Sequence, residues 1–88
     1  MEIEFLEKFS KDLDAIKDNK IKLALKQLII NLETIKTLAE ISKLKKLKGH
    51  KTAYRIRLGD YRVGFYFENN IIELARFIHR KDIYKYFP

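Results

Sequence analysis

The spacing of hydrophobic residues changes once in the first half of the chain. Apolar and acidic residues alternate over 1–5, which is typical of a short strand. Apolar residues then recur every three or four positions within 7–17 and within 20–38, which predicts two helices with one apolar face each. Only Asp18 and Asn19 separate these segments, so we expect an antiparallel αα-hairpin whose apolar faces belong to the core.

After Gly49 the hydrophobic period falls to two, which indicates β-strands. Gly59-Asp60 has the sequence of a two-residue hairpin turn, and Asn69-Asn70 is a second turn because asparagine tolerates positive φ. We therefore predict consecutive antiparallel strands at 52–58, 61–67 and 71–78. The last of them is apolar on both faces, as expected for a strand buried on both sides.

These elements predict a single α+β domain over residues 1–88. Their order is β-α-α-β-β-β with a short final helix within 80–87, giving an antiparallel curved sheet with the helical hairpin on one face. Counting along the third strand places Arg76 on the core face opposite Val63. A buried arginine there is unfavourable, so we expect a β-bulge or a shifted register near Ala75.

Charge is distributed unevenly along the chain. The net charge is +7 overall, −1 over residues 1–42 and +8 over residues 43–88, and all five arginines lie within 55–80. The basic half predicts a surface that binds a polyanion. Nucleic acid is favoured over a membrane, because the arginines and aromatic residues follow strand patterns rather than one amphipathic helix.

Several classes of protein are disfavoured by the composition. The chain has no cysteine, which excludes disulfides and cysteine-based metal sites. No apolar run approaches the roughly 20 residues of a membrane span, and residues 1–9 lack the basic start of a signal peptide. We therefore expect a cytoplasmic protein without membrane contact.

The predicted hairpin register brings arginines together. It places Arg57 directly opposite Arg62, and Arg55 opposite Gly64, on the face away from the core. Opposed arginines repel each other, so a sheet selected for stability alone would avoid them. Gly64 should leave space beside Arg55 where a phosphate can approach. We favour an anion site over a merely solvated basic face that is neutralised by nearby acidic residues.

Residues with proton-transfer chemistry follow the third strand. His79 and Arg80 lie at its end and Tyr84 one helical turn later, so we expect them to ring one concavity with the strand arginines. Arginine stabilises the charge that develops on phosphate oxygens, and histidine or tyrosine can move the proton of an attacking 2′-hydroxyl. A lone histidine there is more often a surface residue, so the interpretation depends on the cluster. The candidate catalytic residues are Arg55, Arg57, Arg62, His79, Arg80 and Tyr84.

Residues 44–84 carry a pattern that resembles the RelE/ParE toxin superfamily. It consists of a basic L-K-G segment, then Y-R-I-R-L-G-D-Y-R-V, then an apolar strand that ends in H-R-K-D-I-Y. The resemblance implies a RelE-like fold and, for RelE-type members, ribosome-dependent cleavage of mRNA by 2′-hydroxyl attack on the adjacent phosphate. It implies no metal and no other cofactor.

The resemblance also assigns individual positions. The basic and tyrosine positions of RelE-type members match Lys48, Arg55, Arg57, Arg62, Arg80 and Tyr84. Arg55 stands where some members have lysine, and a guanidinium with a pKa above about 12 is a poor general base. Either His79 or Tyr84 then moves protons, or electrostatics and substrate orientation do most of the work. The connector 43–51 supplies the candidate RNA-binding residues Lys45, Lys46, Lys48 and Lys51.

The implied partners are the ribosome with its mRNA, and an antitoxin whose acidic, conditionally disordered segment neutralises the basic half. Two alternatives stay open. One is a ParE-like toxin that inhibits DNA gyrase, and the other is a non-catalytic nucleic-acid-binding module whose affinity falls steeply with salt. The presence of Arg57, Arg80 and Tyr84 together favours the nuclease.

Overall fold

Strands and helices account for most of the structure, a computed structural model that describes residues 1–88. The elements are β1 (Glu2–Phe5), α1 (Glu7–Ala15), α2 (Asn19–Thr34), β2 (Leu44–Lys46), β3 (Ala53–Leu58), β4 (Tyr61–Glu68), β5 (Ile71–His79) and α3 (Ile83–Tyr86). A 3₁₀ turn at Leu38–Glu40 lies between α2 and β2. None of the helices has the length and apolar character needed to cross a membrane.

The strands form one sheet in the order β1-β5-β4-β3-β2. As predicted from their turns, β3, β4 and β5 pair antiparallel in succession. The additional strand β2, which sequence predicted as part of a connector, joins the edge antiparallel to β3. β1 departs from the antiparallel pattern, since it pairs in parallel with β5. The α+β class and the order of the predicted elements are confirmed.

Hydrophobic side chains pack on both faces of the sheet. On one face, Phe9 of α1 and Leu25 and Leu32 of α2 are buried against the strands. The opposite face carries a smaller cluster. Its buried members are Ala53, Ala75, Ile83 and Phe87. Because side chains alternate along a strand, β5 is buried on both sides, as its sequence predicted.

The bulge expected near Ala75 is present. Gly64 pairs with Arg76 and Phe65 pairs with Leu74, so Ala75 has no partner on β4. The extra residue moves Arg76 off the core face, where a guanidinium would be costly to bury.

Asp12 of α1 binds the arginine that the bulge reorients. Its carboxylate accepts hydrogen bonds from Arg76 Nε at 2.8 Å and from a terminal guanidinium nitrogen at 3.1 Å. It also accepts one from the backbone N–H of Phe77 at 2.9 Å. β1 pairs only with residues 71–74 of β5, so the rest of β5 has no strand beside it on that side. Asp12 accepts a hydrogen bond from the backbone N–H of Phe77 there, which would otherwise lack a partner within the sheet.

The predicted end of the second helix is wrong. α2 ends at Thr34 and not near Leu38, and the ammonium group of Met1 donates to three carbonyl oxygens around its end. A positive charge at a helix C-terminus is favourable, because the last carbonyls lack partners within the helix. Beyond it, Glu40 accepts from the backbone N–H groups of Lys36 and Thr37, which lowers the pKa of Glu40.

Candidate nucleic-acid interface

The predicted register of the arginines is confirmed. Arg57 pairs with Arg62 across β3 and β4, and Arg55 pairs with Gly64. Arg62 is anchored by one guanidinium nitrogen, which donates to the carbonyl oxygens of Gly59 at 3.0 Å and Tyr61 at 2.9 Å. Partial desolvation, followed by the neighbouring positive charges, lowers the pKa of Arg62. The cluster therefore holds several cations at positions where an anion would be stabilised.

Arg55 and Tyr84 make a direct contact within this cluster. A guanidinium nitrogen of Arg55 donates to the Tyr84 hydroxyl at 2.8 Å, and the guanidinium carbon lies 4.7 Å from the ring centroid. This hydrogen bond, followed by the charge of Arg55, lowers the pKa of Tyr84. Tyr84 is 74% exposed, so its hydroxyl is open to a ligand. An exposed phenol with a lowered pKa is better suited to proton transfer than a free tyrosine.

Arg55 lies where three surface depressions meet. The first, of about 430 Å³, is lined by Lys43, Leu44, Lys45, Arg55, Arg57 and Arg62. The second, of about 300 Å³, is lined by Arg55, Arg62, Arg80, Lys81, Ile83 and Tyr84. The third, of about 470 Å³, extends from Arg55 and Tyr84 to Lys48 and His50. No acidic residue lines any of the three, so their charge is suited to phosphate groups.

Arg80 belongs to the cluster, as predicted. It lines the second depression, and its only ion pair is a loose one to Asp60, with Nε 3.8 Å from Oδ1. Both side chains are mostly exposed, so this pair holds Arg80 weakly. The structure thus brings together all the predicted catalytic residues except His79.

The predicted position of His79 is wrong. His79 pairs with Tyr61 and their rings are 5.5 Å apart, on the face that α1 and α2 cover. Its Nδ1 accepts a hydrogen bond from the backbone N–H of Lys81. Strand alternation explains the placement: Tyr61 belongs to the apolar face, so its cross-strand partner does too. The imidazole that lines a depression beside Tyr84 is that of His50.

The expectation of open space above Gly64 is also wrong. The ring of Phe87 lies over this glycine, and a Cβ placed there would be 2.7 Å from two ring atoms. The C-terminal segment therefore occupies the surface where a phosphate was expected to approach. Access beside Arg55 remains through the three depressions that it lines.

The lysines of the predicted connector differ in their placement. Lys45 lies on β2 directly opposite Arg55, so it is part of the cluster and not of a mobile loop. Lys46 alternates to the other face, where its Nζ is 6.0 Å from the Tyr54 ring centroid. Lys48 lines the third depression, and Lys51 lies with it around a further one in the loop.

Lys43 is a site residue that sequence reasoning missed. It lines the first depression beside Arg57, with a positive φ of 61°. The basic run of the connector could have indicated Lys43, but the position of Lys43 beside Arg57 depends on the formation of β2. Elsewhere, no three histidine, cysteine, aspartate or glutamate side chains are grouped closely enough to hold a metal ion.

Comparison with known proteins identifies the family. A family model described as the ParE toxin of the type II toxin-antitoxin system, parDE, matches residues 3–84. Toxin RelE3 of Methanocaldococcus jannaschii is 36% identical over 89 aligned residues, which cover 100% of each chain. The chain therefore belongs to the ParE toxin family of type II toxin–antitoxin systems, and it is a toxin of the RelE type.

Solved structures agree with this assignment. The chain superimposes with a TM-score of 0.83 and 35% identity on a RelB-RelE antitoxin-toxin complex from Methanococcus jannaschii, covering 97% of this chain and 99% of that one. An archaeal RelE-RelB complex from Pyrococcus horikoshii gives a TM-score of 0.70 at 23% identity, with coverage of 90% and 93%, and shows the shared fold. The superfamily predicted from residues 44–84 is confirmed.

Proposed function

We propose that this toxin is an endoribonuclease that cleaves mRNA on the ribosome in the cytoplasm and so inhibits translation. The observation that carries the proposal is the contact between Arg55 and Tyr84 within a basic cluster whose depressions no acidic residue lines. A surface used only for attraction to RNA does not require a tyrosine hydroxyl hydrogen-bonded among the cations. A surface that performs chemistry on a phosphodiester needs both fixed cations and a group that exchanges a proton.

In the proposed reaction, the 2′-oxygen forms a bond to the adjacent phosphorus while the bond from phosphorus to the 5′-oxygen breaks. The products are a 2′,3′-cyclic phosphate and a 5′-hydroxyl. Arg55, Arg62 and Arg80 stabilise the negative charge that develops on the phosphate oxygens. Arg62 suits this role because its two backbone hydrogen bonds fix its position before the substrate arrives.

Tyr84 is the proposed general base. The hydrogen bond from Arg55 lowers the pKa of Tyr84, which favours the phenolate that accepts the proton of the 2′-hydroxyl. Water supplies the proton that the 5′-oxygen gains. His79 is left out of the mechanism because its ring lies on the other face of the sheet. The chain's own cations supply the electrostatic stabilisation, so the mechanism uses no metal ion.

The remaining basic residues bind substrate in this proposal. Arg57, Lys43 and Lys45 line the first depression with Arg55, and Tyr84 does not line it, which suits a neighbouring phosphate of the same RNA strand. Lys46 at the end of β2, and Lys48 and Lys51 in the connection that follows, attract the ribosome at longer range.

An antitoxin is the proposed protein partner. The two archaeal relatives described above were solved as complexes of antitoxin with toxin. A net charge of +8 over residues 43–88 suits a partner with an acidic segment. Such a segment would cover the arginine face or displace residues 80–87, so hydrogen exchange of the complex should show protection in one of these places. Protection confined to residues 1–18 would contradict this arrangement.

Variants of the site separate catalysis from binding. Tyr84→Phe keeps the ring and removes only an exposed hydroxyl, so it should fold normally and lose about 100-fold or more in single-turnover cleavage. Wild-type cleavage should rise with pH until Tyr84 ionises, and this rise should disappear in the variant. Arg62→Ala should also lose on the order of 100-fold in cleavage, with ribosome binding nearly intact.

A matched control is Lys46→Gln, which removes a charge on the opposite face from Tyr84. It should weaken ribosome association and reduce its salt dependence, with little change in the saturating rate. If Arg62→Ala and Tyr84→Phe alter affinity alone, the protein is a nucleic-acid-binding module and the nuclease proposal is wrong.

A second candidate follows from the description of the matching family model, which names a ParE toxin. A gyrase supercoiling assay with the purified protein tests it directly. Inhibition of gyrase without cleavage of ribosome-bound mRNA would support this candidate over the nuclease.

A further inference from the structure

The C-terminal segment is seated on the sheet beside the arginine cluster. The ring of Phe87 covers Gly64, with two of its carbons 2.7 Å and a third 2.9 Å from the place where a Cβ of residue 64 would lie. Phe87 is 5% exposed, and its ring centroid is 5.2 Å from that of Tyr66. Any residue larger than glycine would displace the ring, because carbon atoms that are not bonded do not approach this closely.

Two anchors hold the short helix α3 in this position. Ile83 is 1% exposed and belongs to the same buried cluster as Phe87. The buried ring of Phe87 is the second anchor, and its backbone N–H donates to the carbonyl oxygen of Ile83 at 2.9 Å, which closes the turn between the two. A helix of four residues has almost no stability of its own, so these contacts decide where the segment lies. Tyr84 follows Ile83 directly, so the two anchors also determine its position.

We call the packing of the Phe87 ring on Gly64 the seat of the C-terminal segment. One pair of residues in the sheet connects this seat to the site. Arg55 and Gly64 are direct partners across β3 and β4. Arg55 donates to the hydroxyl of Tyr84, and Gly64 receives the ring of Phe87. The same cross-strand pair therefore contacts the C-terminal segment at two points, three residues apart along the chain.

From this arrangement we infer that Gly64 and Phe87 are positioning residues, which hold the Tyr84 hydroxyl against the Arg55 guanidinium. The structural part of this inference stands on the packing alone, and its consequence for RNA cleavage rests on the proposed function. Loss of the seat frees Tyr84 from Arg55, while the arginines keep their places on the strands.

Gly64→Ala is the direct test. In the intact protein with ¹³Cζ-labelled tyrosine, the resonance of Tyr84 is assigned by its absence in Tyr84→Phe and titrated with pH. We expect the pKa of Tyr84 to rise towards that of free tyrosine in Gly64→Ala, because the hydrogen bond from Arg55 is lost. Single-turnover cleavage should fall by about 100-fold, and KM should change little.

Lys85→Ala is the matched control, since this exposed side chain lies in α3 without contributing to the seat. It should leave both the titration and the cleavage rate unchanged. Phe87→Leu in the Gly64→Ala background provides rescue, because the smaller side chain makes room for the new methyl group. The double variant should regain part of the lowered Tyr84 pKa and part of the rate.

The titration decides the inference independently of the nuclease proposal. An unchanged Tyr84 pKa in folded Gly64→Ala overturns it, whether or not the wild-type protein cleaves RNA. Should Gly64→Ala fail to fold, Phe87→Ala adds no atom to the sheet and must show the same rise. If the Tyr84 pKa rises in Gly64→Ala and the wild-type protein cleaves no RNA, the positioning role stands and the proposed function fails.

Discussion

Arg57 and Arg62 lie side by side on β3 and β4, which makes Arg57→Gln an informative variant. Glutamine removes the positive charge and keeps much of the side chain's length. Like charges directly opposite each other on a sheet cost about 0.2–1 kcal/mol. Because Arg57 is exposed, we take a gain of about 0.5 kcal/mol in the free energy of unfolding of Arg57→Gln. For a domain of this size, such a gain raises Tm by about 2–4 °C. We therefore expect a more stable protein that binds and cleaves RNA less well.

Thermal unfolding followed by circular dichroism measures this effect at low salt and at about 1 M salt. The gain should nearly vanish at high salt, where charges more than about 3 Å apart are screened. Arg57→Lys keeps the repulsion and should leave Tm close to that of the wild type. Lys51→Gln removes an equal charge from a loop and should give little or no gain. A lower Tm for Arg57→Gln at low salt, or an equal rise in Lys51→Gln, would refute the idea that the opposed arginines destabilise the sheet.

Two further predictions concern the core and the site. Asp12→Ala leaves the guanidinium of Arg76 without its carboxylate, and we expect the free energy of unfolding to fall by about 2–3 kcal/mol, less than for a fully buried pair. Urea denaturation measures this loss, and Asp14→Ala on the same helix, an exposed position, should change it by less than about 0.5 kcal/mol. Arg55→Ala should raise the pKa of Tyr84 towards that of free tyrosine, since the hydrogen bond and the charge that favour the phenolate are removed. Titration of the labelled tyrosine checks this, and an unchanged midpoint would mean that Arg55 does not control the ionisation of Tyr84.

The sequence alone determined the three consecutive strands β3, β4 and β5 and the arginine pairs between them. The hairpin register follows from a two-residue turn and a period of two, which are both local properties of the chain. The pairs of Arg57 with Arg62 and of Arg55 with Gly64 therefore follow from counting outward from the turn at Gly59-Asp60. The bulge at Ala75 was predictable by the same counting, because an unbroken register would have buried the charge of Arg76.

Helix ends and the short edge strand were less predictable. β2 has only three residues, two of them lysines, and it exists because the edge of β3 supplies hydrogen-bond partners. α2 ends where the ammonium of Met1 reaches its last carbonyl groups, a contact between residues more than thirty positions apart. Neither partner is visible in the local pattern of the chain.

Only the tertiary structure decided which groups surround Tyr84. The C-terminal segment folds back over Gly64, so the open space that the glycine indicated is filled by Phe87. The same fold places His50 beside the tyrosine and leaves His79 on the helical side of the sheet. These placements depend on how distant segments pack against both faces of the sheet. Local periodicity does not encode that packing, because each contact is made by residues far apart in the chain.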